Sequence, residues 1–136
     1  MKKLLTIFAA LFVFLSFNTA ASANTIIDKS TINMIAGGEY TKMTTRPITV
    51  PKGAWLGVYF DNKGVTHYGM EWMTFEVYSP DTGERVIQPQ SADYNNVIGV
   101  PAGRYILEID CFIQNGSYLG KSNGCSATGI LSSQYK

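Results

Sequence analysis

Residues 50–60 read V-P-K-G-A-W-L-G-V-Y-F, and the alternation in this stretch decides the fold class. Successive side chains of a β-strand point to opposite faces, so the segment has two sides. Ala54, Leu56, Val58 and Phe60 form an apolar side, while Trp55, Gly57 and Tyr59 form the other. Pro51 presets the backbone where the strand starts, and Gly53 supplies a permissive turn. The phrase returns at 100–109 as V-P-A-G-R-Y-I-L-E-I. There Tyr105 falls in step with Leu107, Ile109 and Cys111, so its aromatic ring is expected to point inward. Trp55 is expected to point outward. The two phrases therefore share a way of launching a strand and do not duplicate a site.

No segment sustains the 3.6-residue period of an amphipathic helix. Short runs rich in Val, Ile, Thr, Tyr, Phe and Trp alternate with Gly, Pro, Asn and Asp, the pattern of antiparallel β structure. Strands are expected at Thr25–Ile27, Thr31–Ile35, Pro47–Val50, Ala54–Asp61, Glu71–Ser79, Glu84–Gln88, Asn95–Val100, Arg104–Ile113 and Cys125–Leu131. Ser79-Pro80-Asp81-Thr82-Gly83 has Pro and Gly where a turn needs them, so it should reverse the chain into the strand that follows. Asn115-Gly116 and Asn123-Gly124 are turn signals flanking a longer loop. The spacing of strands and turns predicts an all-β, antiparallel β-sandwich of jelly-roll-like form.

The first 23 residues read as a signal peptide rather than as part of the fold. Lys2 and Lys3 precede an apolar run from Leu4 to Phe17, and Ala21-Ser22-Ala23 offers a small-residue cleavage pattern. That run is shorter than the ~20 residues that span a bilayer. Cleavage after Ala23 would leave a single domain, 24–136, secreted to an extracellular setting and without a membrane span. It also removes two of the 11 basic residues against 10 acidic ones, for a net charge near −1. Neither nucleic acid nor anionic lipid is expected as a partner, because both need clustered basic side chains.

Cys111 and Cys125 are the two cysteines of the chain. In an exported protein an even count reads as a disulfide, worth ~3 kcal/mol for a loop of this length. Pairing them across an antiparallel hairpin sets Ile109 against Ala127, Leu107 against Gly129 and Tyr105 against Leu131. That register gathers apolar residues and both sulfurs on one face.

Strand 71–79 alternates as well, with Met73, Phe75 and Val77 on one side and Trp72, Thr74, Glu76 and Tyr78 on the other. With the aliphatic sides buried, Trp55, Tyr59, Trp72 and Tyr78 are expected together on an outer face beside Glu76. Aromatic rings flanked by polar groups suit sugar rings. The competing reading is that this face packs beneath another strand or loop.

Three segments are similar to the secreted pre-peptidase C-terminal domains and the wider jelly-roll modules of bacterial exoproteins. They are I-T-V-P-K-G-A-W-L-G-V at 48–58, F-E-V-Y-S-P-D-T-G-E at 75–84, and V-P-A-G-R-Y-I-L-E-I at 100–109. The resemblance spans about residues 46–131 and consists mostly of turn-and-strand phrases. It implies a β-sandwich with a binding or accessory role. The chain departs from the pattern in lacking the acidic cluster that many such modules use for calcium, and no protease domain is attached.

Other constellations carry less. His67, the only histidine, sits in a loop-like stretch with no nucleophile motif nearby, so a surface position is expected. Asp61, Asp81, Asp93, Asp110 and Glu108 offer oxygens but lack an EF-hand spacing, and no metal or cofactor is expected. Glu71 and Glu76, five apart on one strand, fall on opposite faces and cannot share a substrate. The expectation is a non-catalytic module recognising a cell-wall or surface polysaccharide through Trp55, Tyr59, Trp72, Glu76 and Tyr78. The alternative is a protein-interaction factor (inhibitor, immunity protein or toxin component) acting through loops at Asn62–Gly69 and Gln114–Gly124. A hydrolase ranks last.

Overall fold

The computed structural model describes residues 24–38, 40–65, 71–113 and 124–136. Among them run nine strands and no helix: β1 (Thr25–Met34), β2 (Lys42–Thr44), β3 (Ile48–Val50), β4 (Trp55–Val65), β5 (Glu71–Tyr78), β6 (Arg85–Gln90), β7 (Tyr94–Ile98), β8 (Gly103–Ile113) and β9 (Cys125–Tyr135). No helix among the described residues is long and apolar enough to cross a membrane. The expected signal peptide, His67 and most of the 114–124 loop lie outside the described residues.

The first sheet has the order β1-β9-β4-β7; the second has β2-β8-β5-β6, with β3 also on β8. Every pairing is antiparallel. The chain changes sheet at every connection except β2–β3 and β5–β6, which is the jelly-roll-like sandwich anticipated above.

The inner faces are those that alternation selects. Leu56, Val58 and Phe60 of β4 bury against Met73, Phe75 and Val77 of β5 and Leu107 and Ile109 of β8. Phe60 and Phe75 stack across the sandwich, ring centroids 4.4 Å apart at 24°. Tyr105 points inward as expected, and its hydroxyl donates to the Pro101 carbonyl at 2.8 Å, pinning the turn that launches β8. The 79–83 turn also forms: the Ser79 N–H donates to the Glu84 carbonyl at 2.9 Å, and Gly83 takes a positive φ of 74°. Thr45 fills the gap between β2 and β3. Its N–H donates to Leu107 and its hydroxyl accepts from the Leu107 N–H at 3.0 Å, so the edge of β8 stays bonded where neither strand reaches.

The disulfide joins Cys111 and Cys125, with Cα atoms 6.1 Å apart. The expected hairpin register around it is overturned. Cys111 lies on β8 in the second sheet and Cys125 on β9 in the first, so the bridge crosses the sandwich. β9 pairs with β1 and β4, and β8 pairs with β2, β3 and β5. The apolar sides chosen for the two strands are nonetheless the buried ones. Leu107 and Gly129 do meet, face to face between sheets: a Cβ on Gly129 would lie 2.8 Å from Leu107 Cδ2.

Strand limits differ too. The two short strands expected at 25–27 and 31–35 are one strand, β1, with a register shift between Ile26 and Asp28. The intervening D-K-S lacks an apolar rhythm because β1 is an edge strand. Asp28 there reaches the second sheet, accepting from Arg46 Nη2 at 2.5 Å and from the Thr49 N–H at 3.3 Å.

Candidate functional site

The aromatics expected on one platform are not brought together. β4 belongs to the first sheet and β5 to the second, so their outward side chains leave from opposite surfaces of the sandwich. Trp55 and Tyr59 stand on one surface; Trp72, Glu76 and Tyr78 stand on the other.

Trp55 is half-buried, and its ring has two contacts. Lys136 Nζ lies 3.6 Å from the ring centroid, a cation–π contact. The ring also lies against Gly99, where an added Cβ would sit 3.6 Å from it. Tyr59 is half-buried between its cross-strand neighbours Ile130 and Asn95. Trp72 is different: it is 47% exposed.

Trp72 stands directly across from Phe112, so the two strands place two aromatics side by side on the outer face. Next along the ladder come Thr74 opposite Asp110, then Glu76 opposite Glu108. β2 adds Lys42 opposite Asp110, and β6 brings in Arg85 opposite Tyr78. Between these strands runs an open groove of about 360 Å³, with Phe112, Thr74 and Pro89 among its walls and the charged side chains around them.

Glu76 opposite Glu108 sets two like charges against each other, an unfavourable pair unless cations intervene. Here they do. Arg85 Nε donates to Glu76, while Lys42 Nζ lies 2.8 Å from Glu108 and 3.4 Å from Asp110. The Tyr78 hydroxyl donates to the second oxygen of Glu108 at 3.2 Å. The hydrogen bond to Glu108 raises the Lys42 pKa above the ordinary lysine range, against the opposing effect of desolvation. Burial raises that of Tyr78, and the neighbouring Glu108 charge adds to it. Both groups therefore keep their protons through neutral pH. Each exposed ion pair contributes only ~0–1 kcal/mol. The main effect of the network is orientation, holding two carboxylates that are only 14% and 12% exposed in fixed places along the groove.

Sequence reasoning named Trp72, Glu76 and Tyr78 but did not connect them with Phe112, Glu108 or Asp110. The signal was present: with Leu107, Ile109 and Cys111 inward, alternation sends Glu108, Asp110 and Phe112 outward. Lys42 carried no such signal, since the three-residue β2 is too short to show a pattern. Among the described residues no group of three or more His, Cys, Asp or Glu side chains is placed to hold a metal ion. No protein-family model matches the chain, and no curated protein matches its sequence.

Proposed function

We propose that this is an exported, non-catalytic carbohydrate-binding module, and that the groove on the outer face of the second sheet recognises a cell-wall or surface polysaccharide. The observation that carries the reading is Phe112, a wall of a groove whose polar groups are already oriented, with the exposed Trp72 directly across from it on the neighbouring strand. A sugar ring offers C–H faces for the aromatic side chains and hydroxyls for the polar ones. Glu108 and Asp110 supply acceptors, Lys42 and Arg85 supply donors, and Thr74 can act as either. Because the network fixes these groups before ligand arrives, less side-chain freedom is lost on binding.

Binding rather than cleavage is favoured by how the carboxylates are engaged: Glu76 is held by Arg85 and Glu108 by Lys42, so both serve the groove's own network. Export is supported by the leader-like 1–23 segment and by the disulfide, which forms and persists in an oxidising compartment.

Pull-down on a panel of insoluble polysaccharides tests the reading. Wild-type protein should be retained by at least one, and Trp72→Ala and Phe112→Ala should each weaken retention by about tenfold or more, the equivalent of ~1.4 kcal/mol. Retention unchanged in both variants would overturn the groove as the site.

A further inference from the structure

The disulfide stands directly behind the end of the second sheet that carries the aromatic side chains. Cys111 is flanked by Asp110 and Phe112, both walls of the groove, and it lies opposite Met73, the residue after Trp72. Its partner Cys125 brings Sγ to 3.9 Å from the Trp72 carbonyl oxygen. One covalent bond therefore reaches both strands of the Trp72–Phe112 pair. Among the described residues this end of the sheet has little else to hold it. Beyond that pair lies Glu71 opposite Ile113, and there both strands end. β2 pairs with β8 no farther than Asp110, although the Thr41 carbonyl still accepts from the Cys111 N–H at 2.7 Å. Trp72 is half exposed, so packing covers only part of it. Strand ends with few buried contacts open at low cost in free energy.

We propose that the Cys111–Cys125 bridge is a positioning element of the ligand site, so that binding, and not stability alone, depends on it. This rests on the groove being the polysaccharide site and on export of the chain. Side chains alternate along β8, so holding Cys111 inward sets the directions in which Asp110 and Phe112 leave outward. The far anchor is firm: both cysteines are buried, and Cys125 begins β9, which is paired with β4. The bridge thus ties the loose end of the second sheet to the first. Groups held in place in advance lose less freedom when ligand arrives. The bond also makes binding conditional. It forms when the two thiols pass two electrons and two protons to a donor disulfide, which leaves as two thiols, and this is the chemistry of an oxidising compartment. The corner is set there, and the chain becomes competent to bind polysaccharide on export.

The test compares the bridged protein with Cys111→Ala/Cys125→Ala, both in a Trp55→Phe background that leaves Trp72 as the sole tryptophan. Without ligand, acrylamide should quench Trp72 more strongly once the bridge is gone. Backbone order parameters at residues 72 and 112 should fall toward about 0.6, while those of β4 and β7 stay near about 0.85. With a polysaccharide that retains the bridged protein, the folded bridge-free variant should be retained about tenfold more weakly. A bridge with a purely structural role would lower the urea midpoint and leave quenching, order parameters and retention by the folded protein where they were. If the alanine pair does not fold, Cys111→Val/Cys125→Ala restores bulk without the bond. Unchanged quenching and order at the corner, or full retention of a folded bridge-free variant, would overturn the proposal. If no polysaccharide retains the bridged protein, the groove reading fails, and the ligand-free measurements still decide whether the bridge sets the corner.

Discussion

Gly129 sits on the inner face of β9, where an added methyl would press on three neighbours at once: Leu107 Cδ2 at 2.8 Å and the side chains of Ile109 and Ile32 at 3.2 Å. Those contacts come from the facing sheet and from β1, so relief would require several core side chains to move. Gly129→Ala should therefore destabilise by ~1–3 kcal/mol, read from the midpoint of urea unfolding. Ser133 presents the opposite case. It is fully buried, and its hydroxyl has no hydrogen-bond partner among the described residues. Ser133→Ala removes an unsatisfied group and should leave stability unchanged or raise it by ~1 kcal/mol; a loss of that size would show that the hydroxyl is bonded in solution. At this scale alternation made most core residues legible, from Leu56 to Cys111. The faces of Gly57 and Gly129 were legible by the same alternation, but the tight space around each was not, because it is set by side chains of distant strands.

Edge strands are where element-level reasoning is tested. β1 ends the first sheet, and Asp28 ties it to the second through Arg46 and the Thr49 N–H. The Arg46 hydrogen bond, chiefly, holds the Asp28 carboxyl below its ordinary range. The unfolded chain thus binds a proton more readily than the folded one. The stabilisation is present above the unfolded pKa and is lost as pH falls through the lower, folded value. Asp28→Asn should cost ~1 kcal/mol at neutral pH, with Arg46 more than half exposed, and the gap from wild type should close below about pH 4. A gap that persists at acid pH would mean that the carboxyl acts through packing rather than charge. The same scale shows what sequence left hidden. The 79–83 turn was legible because its residues dictate local geometry, and β6 duly pairs with β5. The partnership of β8 was not. Two strands with matching apolar sides can lie side by side in one sheet or face to face in two, and the side-chain pattern is identical in both arrangements.

For the whole molecule, the decisive feature is that the chain crosses repeatedly between two sheets, leaving two outer surfaces with different chemistry. The disulfide fastens the sheets together, closing a loop with a sequence separation of 14. Reduction should lower stability by ~3 kcal/mol on loop-closure arithmetic, measured as a shift in urea midpoint with and without reductant. An unchanged midpoint would show that the cross-sheet bridge adds nothing to the core. The crossing also explains why the expected aromatic platform divided in two: its residues were placed on outer faces, but faces of separate sheets. This division supplies a direct measurement, because the two tryptophans of the chain lie on opposite surfaces. Trp55→Phe leaves Trp72 as sole tryptophan reporter beside the groove, and Trp72→Phe leaves Trp55. Each variant is titrated with soluble oligomers of the retained polysaccharide while tryptophan emission and acrylamide quenching are followed. Emission from Trp72 should shift and become protected while Trp55 stays silent. A response from Trp55 with none from Trp72 would contradict the placement of the polysaccharide in the groove.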